Sequence, residues 1–382
     1  MTARFKIVAC GRRWGKTELG KTILLLAALE EGKRCWWLAP TYLMASEVWR
    51  DLKASLRQLH GLAISESERR IDLPGGGMIA VRSTHNPDNL RGEGLDLAVL
   101  DEAAYMDDRV FPQIVRPMLA TNRGGALILS TPFGRNWFWR LFQRGCDPQF
   151  HGQWQSFHFP TSSNPYIARE ELEDIRRTTS ERIWLAEYQA AFTDDAGQVF
   201  RGIRAAVAGG PAPQPRVDRR YVAGVDWGRE GDYTVIVIID AEEGRMVALD
   251  RFNRVGWSLQ RGRLRALCDR WRPRQIWAEA NSFGSPNIEA LQQEGLPMRS
   301  FTTTSKSKSP LIESLALAIE RRFITLLDHP VLLAELVSYR LQRLPDGGYR
   351  YGAPPGMHDD TVMALALAWH GAQKSGPIID FV

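Results

Sequence analysis

The sequence predicts two α/β domains in tandem, the first with a mostly parallel sheet and the second with a mixed one. Three observations predict this. An apolar run ending at Cys10 passes through Gly11-Arg12-Arg13-Trp14-Gly15 into Lys16-Thr17 and a helical stretch to Leu29, a strand–loop–helix unit. From Phe5 to about Phe192, short apolar runs then alternate with helical stretches, the signature of a sheet covered by helices. Beyond a Gly/Pro-rich segment, three apolar strands follow one another with only short turns between them, which implies an antiparallel meander.

In the first unit, the loop follows the phosphate-binding pattern G-x-x-x-x-G-K-[ST], except that Cys10 stands where the first Gly is expected. Such a loop turns its backbone N–H groups around an anion. Lys16 then reaches the β/γ-phosphates and the Thr17 hydroxyl ligates Mg²⁺. Gly11, Arg12, Arg13, Trp14 and Gly15 complete the cradle, and the Cys10 side chain is expected to point away from it. Further strands are expected at Cys35–Ala39 and Met78–Val81. Leu97-Ala98-Val99-Leu100 runs into Asp101-Glu102, as a buried parallel strand does when it ends at an active-site edge. Asp101 would hold Mg²⁺, mostly through water, and Glu102 would polarise the attacking water. Taken alone, this run also reads as a core strand capped by an acidic turn; its pairing with Lys16-Thr17 favours chemistry. The strand Gly125–Ser130 leads into Thr131-Pro132, and Ser130 and Thr131 are candidates to sense the γ-phosphate. Residues 180–192 read as a helix with Trp184, Leu185, Tyr188 and Ala191 on one face. Trp137 and Trp139 read as packing residues in preference to DNA contacts.

The boundaries read from the sequence are a first domain over 1–195, a connector over 196–220 and a second domain over 221–382. The connector carries Gly209-Gly210-Pro211-Ala212-Pro213-Gln214-Pro215. After it, Tyr221–Val225 ends in Asp226, and Gly228 and Gly231 permit a tight turn. Strands follow at Thr234–Asp240 and Met246–Phe252, then a helix at Leu259–Trp271. Gln275–Ala278 ends in Glu279, helices follow at Asn287–Gln293 and Pro310–Arg322, and His358-Asp359-Asp360 opens a last helix over Thr361–Ala372.

Asp226, Glu279 and Asp360 thus sit at the ends of apolar segments. Crowded carboxylates repel unless a cation neutralises them, and Mg²⁺ or Mn²⁺ suits oxygen ligands. Two such ions can activate a water and stabilise the leaving oxygen of a phosphodiester. Each acid has a structural alternative: Asp226 as a turn residue, Asp359 or Asp360 as a helix N-cap. As an ordered set after strand-strand-strand-helix-strand, they point to a ribonuclease-H-like nuclease core. Asp360 is preferred to Asp359 because it begins the apolar helix; Asp359 and Asp232 are supporting candidates.

Composition sets the limits. The 382 residues are 44% hydrophobic and carry a net charge of +5, compatible with a polyanionic partner without requiring one. Cys10, Cys35, Cys146 and Cys268 are scattered, with no metal-ligand spacing, and read as reduced thiols. No apolar run has membrane-spanning length, and the start of the chain carries no secretory pattern.

A phosphate loop with its acidic strand, followed by these nuclease acids, resembles the large terminase subunit of tailed bacteriophages. The residues that carry the likeness are Gly11–Thr17, Val99–Ala103, Ser130-Thr131-Pro132, Gly224–Gly228, Glu279-Ala280-Asn281 and His358-Asp359-Asp360. The resemblance implies a RecA/ASCE-like P-loop ATPase joined to an RNase H-like nuclease with two divalent ions, Mg²⁺ or Mn²⁺. It implies an ATP-driven motor on double-stranded DNA that feeds a procapsid and cuts concatemeric DNA. A capsid portal protein, a small terminase subunit and further copies in a ring would be its partners, in the host cytoplasm and on no membrane. Arg13 would order the phosphates, and Arg91, in Asn89-Leu90-Arg91-Gly92, resembles the arginine finger that reaches a neighbour's ATP; it also reads as a solvated loop arginine. Asp226 would bridge the two ions, with Glu279 and Asp360 completing the set. A gene-transfer-particle terminase is an alternative with the same two activities. A non-packaging helicase or helicase/nuclease would share only part of the pattern, a resolvase-like nuclease would lack the Lys16 loop, and a non-catalytic subunit could retain both folds.

Overall fold

Apolar runs of four to six residues that stay buried on both faces form parallel strands, and the first half of the chain is built from them. The computed structural model describes residues 3–374 apart from 93, 194–196, 213, 229–231, 282–283 and 344–348. The chain divides into two units at Gly197.

In the first unit, β1 (Phe5–Cys10), β2 (Arg34–Ala39), β3 (Ala63–Ser65), β4 (Arg70–Asp72), β5 (Met78–Ser83), β6 (Leu97–Leu100), β7 (Gly125–Ser130) and β8 (Trp154–Phe159) form one sheet. Its order is β3-β4-β5-β2-β6-β7-β1-β8. The six strands from β5 to β8 pair in parallel, and β3 and β4 add an antiparallel margin. Helices α1 (Lys16–Ala28), α2 (Tyr42–Leu56), α3 (Arg116–Thr121) and α4 (Trp137–Cys146) follow β1, β2, β6 and β7 in the chain. The two faces of the sheet carry separate cores, one around Phe5, Phe111 and Trp154 and one around Leu24, Trp37 and Leu52. Trp137 belongs to the first of these and donates its indole N–H to the Met106 carbonyl at 3.1 Å, a packing role. The unit continues through α5 (Arg169–Thr178) and α6 (Glu181–Ile183) into a π-helical turn at Trp184–Tyr188. The helix expected to reach residue 192 stops there, and Ala190 takes a left-handed φ of 51°. The apolar spacing of that segment serves a stacked Trp184–Tyr188 pair one turn apart and not a longer core stripe.

The second unit begins earlier than the expected boundary. The connector read at 196–220 is only partly a connector: Val199, Phe200, Ile203 and Ala206 are buried in the second unit's core, and α7 (Ile203–Ala206) forms there. Its apolar residues pull it in; the Gly/Pro signal holds only further on. The sheet then follows as β9 (Tyr221–Asp226), β10 (Thr234–Asp240), β11 (Arg245–Phe252), β12 (Gln275–Glu279) and β13 (Met298–Phe301), in the order β11-β10-β9-β12-β13. The first three pair antiparallel and the last two join in parallel, which is the expected mixed sheet. Of the turn glycines, the Gly228 N–H donates to Thr234 Oγ1 at 2.9 Å, while Gly231 lies outside the described residues. Helices α8 (Trp257–Trp271) and α9 (Gly284–Gln293) flank β12 in sequence. Then come α10 (Ser305–Glu320), α11 (Pro330–Ser338), the hairpin β14 (Arg340–Arg343) and β15 (Tyr349–Gly352), and α12 (Asp360–Lys374). From Thr361 to Trp369 every residue of α12 is buried, as in a helix enclosed on all sides. It lies against β9 at Gly224, where an added Cβ would come within 2.0 Å of the Ala364 carbonyl oxygen. That close approach lets the start of α12 meet the end of β9.

Candidate functional site

The first site lies at the carboxyl ends of β1, β6 and β7. Strand β7 lies between β1 and β6, so the hydroxyls at its end stand between the phosphate loop and the acidic strand. Lys16 Nζ is 2.9 Å from Glu102 Oε1. Thr17 Oγ1 donates to Asp101 Oδ2 at 3.1 Å. The Thr131 hydroxyl lies 3.4 Å from Glu102 Oε2 and that of Ser130 3.5 Å from it. Glu102 itself sits at φ 53°, ψ 42°, a left-handed conformation uncommon for a non-glycine residue and concentrated at functional sites.

Electrostatics reinforce the grouping. Burial first, then Glu102, pushes the Asp101 carboxyl up to about 6, against the pull of Lys16 and the Thr17 hydrogen bond. Burial works against the Lys16 ammonium, but Glu102 and Asp101 outweigh it and raise its pKa. Cys10 is the last residue of β1 and fully buried, and burial pushes its thiol up to about 12. It therefore acts as a core residue. The close approach that demands glycine occurs one position later, where a Cβ on Gly11 would stand 2.3 Å from Thr161 Oγ1.

The sequence did not reveal what grips the loop from outside. Thr161 Oγ1 donates to the Arg12 carbonyl at 2.8 Å and Asn164 Nδ2 to that of Arg13 at 2.6 Å. Glu187 pairs with the Arg12 guanidinium at 2.6 Å, and this carboxylate is the leading cause of the raised Arg12 pKa. These residues are some 150 or more positions away in the chain and match no motif. Arg91 lies apart from this group, exposed, with Asp88 3.5 Å away.

The second site forms where β9, β12 and α12 begin or end together. Glu279 and Asp226 are within hydrogen-bonding reach of each other. Burial first, then Glu279, Asp360 and Asp359, raises Asp226 well above the carboxylate range. Burial, then Glu335 and Asp232, pushes Asp360 up to about 6, and His358 works the other way. Lys308 Nζ stands 3.2 Å from Asp359 Oδ2. Among the described residues, the tightest set of three candidate ligands is Asp232, His358 and Asp360, one donor atom from each lying within 4.8 Å of the others. This differs in emphasis from the expected Asp226–Glu279–Asp360 set, because Asp360 stands with Asp232 and His358 while also near enough to Asp226 to raise its pKa. His358 belongs to the His358-Asp359-Asp360 motif, in which the acids alone are the expected ligands; Lys308 and Glu335 carry no signal in the sequence.

The donor set fits a hard divalent cation. It is rich in carboxylate oxygens, burial and like charge raise the pKa of Asp226 and Asp360, and Asp360 Oδ2 is buried with no hydrogen-bond partner among the described residues. The phosphate loop likewise fits a nucleotide triphosphate with Mg²⁺, offering a lysine, a threonine hydroxyl and two carboxylates together.

Comparison with known proteins shows the family of both halves. A family model described as the terminase large subunit, T4likevirus-type, N-terminal, matches residues 7–206, and a terminase RNaseH-like domain model matches residues 223–370. The large terminase subunits of Thermus phage G20c and Thermus virus P23-45 are each 30% identical over 415 residues, covering 96% of this chain and 84% of theirs. A solved large terminase from a thermophilic bacteriophage shares the fold, with a TM-score of 0.57 at 14% identity over 96% of this chain and 93% of that one.

Proposed function

The chain belongs to the terminase large-subunit family, with an ATPase domain and an RNase H-like nuclease domain, and on that footing we propose which residues carry each activity. Gly11–Gly15 cradle the phosphates, Lys16 neutralises the β/γ-phosphates, and Thr17 and Asp101 hold the Mg²⁺ that accompanies the nucleotide. Glu102 orients the attacking water. Ser130 and Thr131 register loss of the γ-phosphate through their contact with Glu102. The observation that carries this reading is the meeting of Lys16, Thr17, Asp101 and Glu102 from two segments 84 or more residues apart in the chain.

In the nuclease half, Asp226, Glu279 and Asp360, supported by Asp359, Asp232 and His358, hold divalent cations. Bound there, such ions supply a nucleophilic water and charge stabilisation for phosphodiester cleavage. The residues' own part is to fix carboxylate oxygens at one point of the sheet. Double-stranded DNA is what the ATP-driven half moves and the nuclease half cuts, gripped through its phosphates and without sequence reading. A portal protein, a small terminase subunit and further copies in a ring are the proposed partners, with Arg91 reaching a neighbour's ATP. No described helix is long and apolar enough to cross a membrane, and the proposed place of action is the host cytoplasm.

The test is direct. Glu102→Gln removes the water-orienting carboxylate and keeps the phosphate cradle, so it should bind ATP and hydrolyse it slower by a factor on the order of 10² or more. Near-normal hydrolysis by this variant, with DNA and partner proteins present, rejects the assignment.

A further inference from the structure

Glu335 lies on α11, whose other inward residues are Leu332, Leu333 and Leu336. It is 6% exposed. A carboxylate in such surroundings is costly unless its charge is matched. One oxygen is well served: Oε2 accepts hydrogen bonds from the Thr361 backbone N–H at 2.8 Å and from the Thr361 hydroxyl. The other, Oε1, accepts none among the described residues. Arg251 Nη2 stands 3.7 Å from it, beyond hydrogen-bond reach, with the guanidinium over the Tyr233 ring.

This is more negative charge than a helix end needs. The start of α12 already carries Asp359 and Asp360, and a carboxylate at a helix N-terminus favours it through the helix dipole. A third brings like charges together in a low-dielectric setting, with Asp232 close by as well. Asp360 Oδ2 is also buried and accepts no hydrogen bond among the described residues, with His358 Nδ1 3.6 Å away. Lys308 faces Asp359 at 3.2 Å and Arg251 faces Glu335 at 3.7 Å, and an added cation beside Asp360 and Asp232 would relieve the charge that remains.

We propose that Glu335 is a positioning residue for the nuclease reaction. Through Thr361 it fixes the turn of α12 that presents Asp360, and its negative charge, which Arg251 faces without a hydrogen bond, tightens the hold of the adjoining carboxylates on a divalent cation. This rests on the reading of that site as metal-dependent.

The experiment is Mn²⁺ binding to the full chain, by calorimetry and by the Mn²⁺-induced thermal shift, with plasmid nicking measured as a function of Mn²⁺. Glu335→Gln keeps the size and an acceptor for Thr361 but removes the charge. The expected result is a rise of about tenfold in the Mn²⁺ dissociation constant, a difference of about 1.4 kcal/mol, with a smaller fall in the rate at saturating Mn²⁺. Arg251→Gln carries the same test with opposite sign, and serves also if Glu335→Gln does not fold. Removing the guanidinium that faces Oε1 should tighten Mn²⁺ binding. Unchanged Mn²⁺ affinity in Glu335→Gln, even with a lowered melting temperature, overturns the proposal, as does unchanged or weaker affinity in Arg251→Gln. Failure of the wild-type chain to bind Mn²⁺ overturns instead the metal-dependent reading on which the proposal stands.

Discussion

Beside the phosphate loop, Asp101 and Glu102 face a lysine of their own, Lys16, 2.9 Å from Glu102. Where β9 meets α12, Asp226, Glu279, Asp359, Asp360 and Asp232 gather, and Lys308 reaches Asp359. The first site carries its counter-charge in the chain. The second has more carboxylate than cation, and burial with that excess raises the pKa of Asp226 and Asp360. The ATPase half therefore has an assembled polar network before any ligand arrives, whereas the nuclease half is completed electrostatically by what binds to it.

The sharpest way to break this contrast is to remove one charge from each site. Lys16→Ala should lower ATP hydrolysis by a factor on the order of 10³ and leave the nicking activity of the same chain intact. Asp226→Ala should do the reverse, abolishing nicking in Mg²⁺ or Mn²⁺ while ATP hydrolysis continues. Loss of both activities in either variant, with folding intact, would show that the two sites are not chemically separate.

Proton competition sharpens the contrast further. Burial and like charge push Asp360 up to about 6 and Asp226 well above its ordinary value, so below about pH 6 a cation entering the nuclease site is expected to displace a proton from each. Its half-saturating Mn²⁺ concentration should then rise roughly a hundredfold per pH unit as pH falls, against roughly tenfold at the ATPase site, where Asp101 alone titrates near 6. Equal slopes in metal titrations of the two activities would contradict the difference in charge. For the metal-free fold the sign is opposite. These acids bind protons more tightly folded than unfolded, so their stabilising contribution is full at low pH and is lost as pH rises through the folded-state values.

The smallest effect expected is on stability. Mn²⁺ at about a hundredfold excess over its dissociation constant should stabilise the nuclease half by about 2.7 kcal/mol. EDTA should reverse the gain, and Asp226→Ala should erase it, in thermal unfolding of the full chain. A shift of the same size in Asp226→Ala would mean that the ion binds elsewhere.

Much of this was legible in the chain. Strands β10 and β12 and the start of α1 fall within a residue of where the apolar pattern put them, because buried runs bounded by glycine or acids leave little choice of conformation. The connector and the helix near residue 185 were not legible. Their backbone signals were real, but Phe200 and Ile203 found a core to enter, and the turn at Tyr188 ended the helix without proline or glycine.

By itself, the sequence determined the order of the two α/β units, the phosphate loop with its acidic strand, and the candidate acids of the nuclease. These are local features, written in spacing and residue type. Only the tertiary structure decided that glycine is required at position 11 and not at 10, that Glu187 pairs with Arg12, and that Glu335 and Lys308 adjoin acids they precede by 25 to 51 residues. Such partnerships depend on which helix packs over which strand, and a one-dimensional pattern cannot encode them, because charge and close approach act through space and not along the chain.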